Sequence, residues 1–107
     1  MSSSRHLHKS HNVSLLLYHL VCSTKYRRFV LSPKVDHILK RTCIEIQDRY
    51  EIHFLEIGSD KNHVHFLLQS VPTYSPTKIA RTIKSITARE IFSQAPGVKR
   101  ALWGGAF

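Results

Sequence analysis

HVHFLLQS, running from His63 to Ser70, is the stretch on which the reading of this chain turns. In an extended strand successive side chains point to opposite faces, so His63, His65, Leu67 and Gln69 share one face while Val64, Phe66 and Leu68 share the other. A wholly apolar face needs a layer of helices against it. The opposite face, carrying two imidazoles two residues apart, suits an open sheet surface able to hold a single metal ion between the rings. Taken alone, His-x-His also serves for cross-strand packing or hydrogen bonding, and at this level both readings stand.

Working outward, Ile52 to Gly58 is a second strand-like run, and the polar turn Ser59, Asp60, Lys61, Asn62 joins it to His63 as a β-hairpin. Upstream, Ser32 before Pro33 is a helix cap and first-turn signature, and Val35, Ile38, Leu39, Thr42 and Ile46 recur at helical spacing to about Arg49. Val13 to Thr24 reads as a central strand feeding a basic loop of Lys25, Tyr26, Arg27 and Arg28. Downstream, Ser75 and Pro76 open a second helix with the apolar stripe Ile79, Ile83 and Ile86, ending near Gln94. Pro96 and Gly97 break it, and Val98 to Trp103 supplies a last short strand. The order β-α-β-β-α-β predicts an α+β fold of the ferredoxin-like, RNA-recognition-like kind, an antiparallel sheet with both helices on one face. Residues 1–12 read as a polar, flexible leader and residues 13–107 as one domain.

Composition narrows the class of partner. Sixteen Lys and Arg against seven Asp and Glu give a formal charge of +9, which favours a polyanion such as nucleic acid. Every acid lies between Asp36 and Glu90, and none falls between Lys61 and Arg89, a stretch holding Lys78, Arg81 and Lys84. Those three lie at i, i+3, i+6 on a helix, apart from its apolar stripe; solvated helix charge is the plain alternative. Cys22 and Cys43 lack metal-ligand spacing and sit among apolar neighbours, as buried reduced thiols do, so a cytoplasmic protein is expected. The apolar run Val13 to Cys22 is too short to cross a bilayer, and no membrane partner is expected.

Four segments together resemble the small single-tyrosine HUH (His-hydrophobic-His) transposases of the insertion-sequence-200-like family: YHLVCSTKYRR at Tyr18 to Arg28, SDKNHVHFLLQ at Ser59 to Gln69, SPTKIARTIKSITAR at Ser75 to Arg89, and LWGG at Leu102 to Gly105. They occur in the family's order and cover nearly all of the chain after the leader. The resemblance implies a homodimer whose two sheets join, acting on single-stranded DNA that carries hairpins at the ends of an insertion sequence. It implies that His63 and His65 hold a divalent ion, magnesium or manganese, against the scissile phosphate, and that a tyrosine attacks phosphorus. Lys25, Tyr26, Arg27, Arg28, Arg81 and Lys84 would contact DNA, with Tyr26 able to stack on a base. Magnesium prefers oxygen ligands, so phosphate and water must complete the shell; Glu56 and Asp60 are the carboxylates nearby in sequence.

Two departures from the family pattern matter. Asn62 stands where members commonly have Asp, which removes a carboxylate beside His63. The nucleophilic tyrosine, carried in the family on a helix after the WGG-like segment, is expected beyond Phe107, with a further ligand one turn later. Tyr18, Tyr26, Tyr50 and Tyr74 do not occupy its position. Trp103 and Phe107 are accordingly expected to lack a covering element, as in a domain truncated before its last helix. Two other functions compete with strand cleavage: a non-catalytic hairpin-binding relic or regulator of transposition, and an RNA-recognition domain. Against the second, HVHFLL stands where an aromatic RNP-like motif would be needed.

Overall fold

A computed structural model describes residues 14–24, 32–59, 63–95 and 102–103. Its elements run β1 (Leu16–Ser23), α1 (Pro33–Arg49), β2 (Ile52–Ser59), β3 (His63–Ser70) and α2 (Pro76–Gln94). Both helices begin as the cap signatures require: the Ser32 hydroxyl accepts from the Val35 N–H and the Ser75 hydroxyl from the Lys78 N–H, each with proline in the first turn. Each cap satisfies a backbone donor that the helix itself leaves orphaned, worth about 1 kcal/mol.

The strands form one antiparallel sheet in the order β1-β3-β2. The strand called central in the sequence is therefore β3, while β1 pairs along its length with β3 alone among the described residues. On its other side β1 is met only at its end, where Thr24 bridges Trp103 in antiparallel fashion. That bridge is the described part of the expected last strand; residues 96–101 lie outside the description, as do the leader, the basic segment 25–28, and 60–62. The α+β architecture is otherwise as expected, a βαββα layout closed by one bridge.

Burial along β3 alternates without exception: Val64, Phe66, Leu68 and Ser70 are buried, and His63, His65, Leu67 and Gln69 are half-buried. The buried set packs with Val35, Ile38, Leu39, Cys43 and Ile46 of α1 and Ile79, Ile83, Ile86 and Ile91 of α2. Full burial of a side chain such as Phe66 contributes about 1.5–3 kcal/mol, so the apolar half of this strand is what binds sheet to helices. Thr42 and Thr87, also buried, spend their hydroxyls on the carbonyls of Ile38 and Ile83 four residues earlier. At the far end, Arg41 of α1 donates to the Gln94 side chain of α2.

Trp103 is not left uncovered as the sequence suggested. It is buried, and its indole N–H lies 3.2 Å from the Lys84 carbonyl and 3.1 Å from the Thr87 hydroxyl. A tryptophan enters a core when its one donor finds acceptors there, and α2 supplies both. Cys22 and Cys43 are free and buried, which pushes their thiols up to about 11 and about 12; the Lys84 ammonium partly opposes the rise at Cys22. Among the described residues no helix is long and apolar enough to cross a membrane.

Candidate metal and nucleic-acid site

The face of the sheet away from the helices is set by register. From β3 it takes His63, His65, Leu67 and Gln69; opposite these in β1 stand Ser23, Val21, His19 and Leu17. From β2 it takes Gly58 opposite His65, Glu56 opposite Leu67 and His53 opposite Gln69. The placement of Glu56 and Gly58 depends on an irregularity between Phe54 and Glu56, where Leu55 is the extra residue. Without that bulge, simple alternation from Ile52 would aim Glu56 at the core and Ile57 at solvent. With it, Ile57 packs against the core and Glu56 reaches the open face.

His63 and His65 do share that face, with ring centres 6.3 Å apart and planes 51° from parallel. His65 also meets His19 from β1: its Nδ1 lies 3.3 Å from the His19 Nε2, and the ring centres are 5.4 Å apart at 29°. The centres are farther apart than the two nitrogens by about one ring radius on each side. The nitrogens therefore face each other nearly in line, a hydrogen bond more than a face-to-face stack. His19, Glu56, Gly58, His65 and Leu67 line an open groove of about 320 Å³.

As a donor set the pair fits a divalent ion held in part by others. Two imidazoles on one face can supply two nitrogens, and the Glu56 carboxylate lines the same groove as His65. Among the described residues no group of three His, Cys, Asp or Glu is gathered tightly enough to hold a metal without outside ligands. Four to six ligands are usual, so phosphate and water oxygens would have to complete the shell.

The cations divide differently from the sequence expectation of one set. Lys25, Tyr26, Arg27 and Arg28, and the carboxylate of Asp60, lie outside the described residues. Arg81 and Lys84 are on α2, in the layer behind the sheet, and not on the histidine face. Lys84 nevertheless sits toward the His63 end: its carbonyl is bound by Trp103, which bridges Thr24, and Thr24 follows Ser23, the partner of His63. Lys78 lies over the Tyr74 ring, 4.9 Å from its centre.

None of the described tyrosines is on the open face. Tyr18, Tyr50 and Tyr74 pack against the core, and the Tyr74 hydroxyl accepts from the Glu51 N–H. His19 and Gly58 are the residues the sequence reading passed over. The alternation Leu17, His19, Val21, Ser23 could have put His19 on a face, but only the pairing of β1 with β3 shows whose neighbour it is.

Comparison with known proteins follows the same outline. The profile of the family described as "Transposase IS200 like" matches residues 12–107. The ISDra2 transposase TnpA of Deinococcus radiodurans is 36% identical over 92 residues, covering 84% of this chain and 64% of its own length. The chain thus spans a little under two thirds of that curated relative. The crystal structure of a candidate transposase from Deinococcus radiodurans R1 superposes with a TM-score of 0.78 at 29% identity, over 88% of this chain and 76% of that one.

Proposed function

The chain belongs to the IS200-like transposase family, and from that premise we propose that it binds single-stranded DNA hairpins at insertion-sequence ends and holds a scissile phosphate at His63 and His65. The observation that carries this reading is the pair of half-buried imidazoles on the open sheet face, beside a groove that a phosphodiester backbone can enter. His63 and His65 hold a magnesium or manganese ion together with phosphate and water oxygens. When bound, that ion supplies Lewis-acid polarisation of the phosphate. Leu67 gives the groove an apolar floor, and Glu56 adds negative charge that favours a cation over a bare phosphate.

Strand cleavage needs a tyrosine oxygen to form a bond to phosphorus while the bond to the 3′ oxygen breaks, giving a 5′-phosphotyrosine link and a free 3′-hydroxyl. The link conserves bond energy, so rejoining needs no nucleotide cofactor. The core positions of Tyr18, Tyr50 and Tyr74 favour a nucleophile elsewhere. A hairpin-binding relic that never cleaves is the second reading, and the same core positions favour it for residues 1–107 taken alone. Lys25, Tyr26, Arg27, Arg28, Arg81 and Lys84 grip DNA in both cases. The partner of β1's outer edge is a second copy of the chain, the two sheets joining; exposed Leu15, Leu16, Leu17 and Val21 support this.

The test is thermal protection by manganese. Wild type should melt at higher temperature with the ion, and His63→Ala with His65→Ala should erase the difference. Protection that persists in the double variant would sink the site. A salt-sensitive, hairpin-preferring band shift without a covalent adduct would decide for the relic over the enzyme.

A further inference from the structure

His65 is placed between unlike neighbours. Its partner in β2 is Gly58, which offers no side chain, and its partner in β1 is Val21, which offers no hydrogen bond. The polar contact comes diagonally, from His19, one pair along β1 and within reach because both side chains are long. Diagonal neighbours of this kind touch only when their rotamers turn toward each other. Here they do, nitrogen to nitrogen at 3.3 Å.

We infer that His19 is a positioning residue that keeps His65 in the tautomer with its proton on Nδ1. Two neutral imidazoles in line share one proton, so one ring donates and the other accepts. With His65 as donor through Nδ1–H, the lone pair of its Nε2 is the one presented for ligation, and His19 accepts at Nε2 while protonated on Nδ1. A free imidazole in water favours the opposite tautomer, with its proton on Nε2, so the contact has a preference to overcome. Fixing a metal-binding histidine by a hydrogen bond at its other nitrogen sets both ring orientation and basicity. His19 is exposed, so in water the bond contributes little; a DNA strand lying over the groove would exclude solvent and strengthen it.

This inference deepens the proposed function and rests on His65 being a ligand there, but its first measurement is independent of metal. Nitrogen-15 spectra of the metal-free full chain should show the Nδ1-protonated neutral tautomer at His65 in wild type. The same tautomer is expected in His19→Gln, whose amide oxygen can stand near the lost Nε2, whereas His19→Ala should revert to Nε2–H. An unchanged His65 tautomer in His19→Ala overturns the inference. Calorimetric titration with manganese should then show about tenfold weaker binding in His19→Ala, restored in His19→Gln. A tautomer that shifts as expected in a wild-type protein that binds no manganese would uphold the role of His19 and overturn the metal reading instead.

Discussion

Replacing Gly58 separates folding from function, because the two respond with opposite signs. The glycine sits inside β2 opposite His65, at a backbone φ outside the left-handed region, and a Cβ built there meets nothing within 4 Å. A side chain is therefore free of strain and of collision. Glycine inside a strand costs roughly 0.5–1 kcal/mol relative to alanine through the extra freedom of the unfolded chain. Gly58→Ala should raise stability by that amount, and Gly58→Val by somewhat more, since β-branched residues suit a pleated surface. The same carbons must occupy the groove. At about 30 Å³ each, close to the share of a water molecule, valine's three take up ~90 Å³. That is over a quarter of the 320 Å³ beside His65. Urea denaturation and hairpin-DNA titration on the same preparations should then show a higher midpoint and weaker binding, with the loss greater for valine than for alanine. Destabilisation by alanine would show that the space beside Gly58 is misjudged. Binding unaltered in the valine variant would mean that the strand of DNA does not enter this groove.

The two buried thiols should make stability fall above pH 9. Below that value folded and unfolded chains both keep the thiol protons; above it the unfolded chain releases them first, until the folded values of about 11 and 12 are passed. Each thiol contributes about 1.4 kcal/mol per pH unit in that window, so Cys22→Ala with Cys43→Ala should flatten the slope of denaturation free energy between pH 9 and 10.5 relative to wild type. Trp103→Phe removes the donor shared by the Lys84 carbonyl and the Thr87 hydroxyl and should cost about 1–2 kcal/mol in the same measurement; a neutral result would remove Trp103 as a tie between α2 and the end of β1. Arg81→Ala with Lys84→Ala should lower the slope of log affinity against log salt by about 1.4 for single-stranded DNA, and an unchanged slope would leave those cations as ordinary solvated charge. Leu17→Lys, at a side chain 62% exposed on β1, should convert a dimer to a monomer in sedimentation, and a wild type that is already monomeric would refute the joined-sheet reading.

What could be read from the residues in advance divides along a physical line. Helix ends were legible because their causes are local. Ser32 and Ser75 cap within three residues, and proline in each first turn fixes the chain's entry, so α1 and α2 begin where the text of the sequence says they do. The two faces of β3 were legible because period-two alternation is a property of eight consecutive residues. Strand order was not: the aliphatic density of Val13 to Thr24 suggests burial, but which side of a strand is paired depends on partners that are distant in sequence. The fate of Trp103 escaped for the same reason, since its acceptors lie 16 and 19 residues away on a helix face that composition does not single out.

The candidate site shows how much turns on this difference. His63 and His65 could be proposed from their spacing, yet the groove beside them is built by residues that spacing does not reach. His19 arrives from 46 positions away through the β1–β3 register. Glu56 and Gly58 arrive because one extra residue, Leu55, reverses which way the second half of β2 faces. Deleting Leu55 is consequently a sharper perturbation than mutating any lining residue. It would restore simple alternation, turn Glu56 toward Phe66 and the core, and turn Ile57 outward. Burying that carboxylate without a partner would cost several kcal/mol, more than β2 could offset by regular pairing. The bulge is thus a requirement of the fold as well as of the groove, and the open face beside His65 exists because the core excludes Glu56.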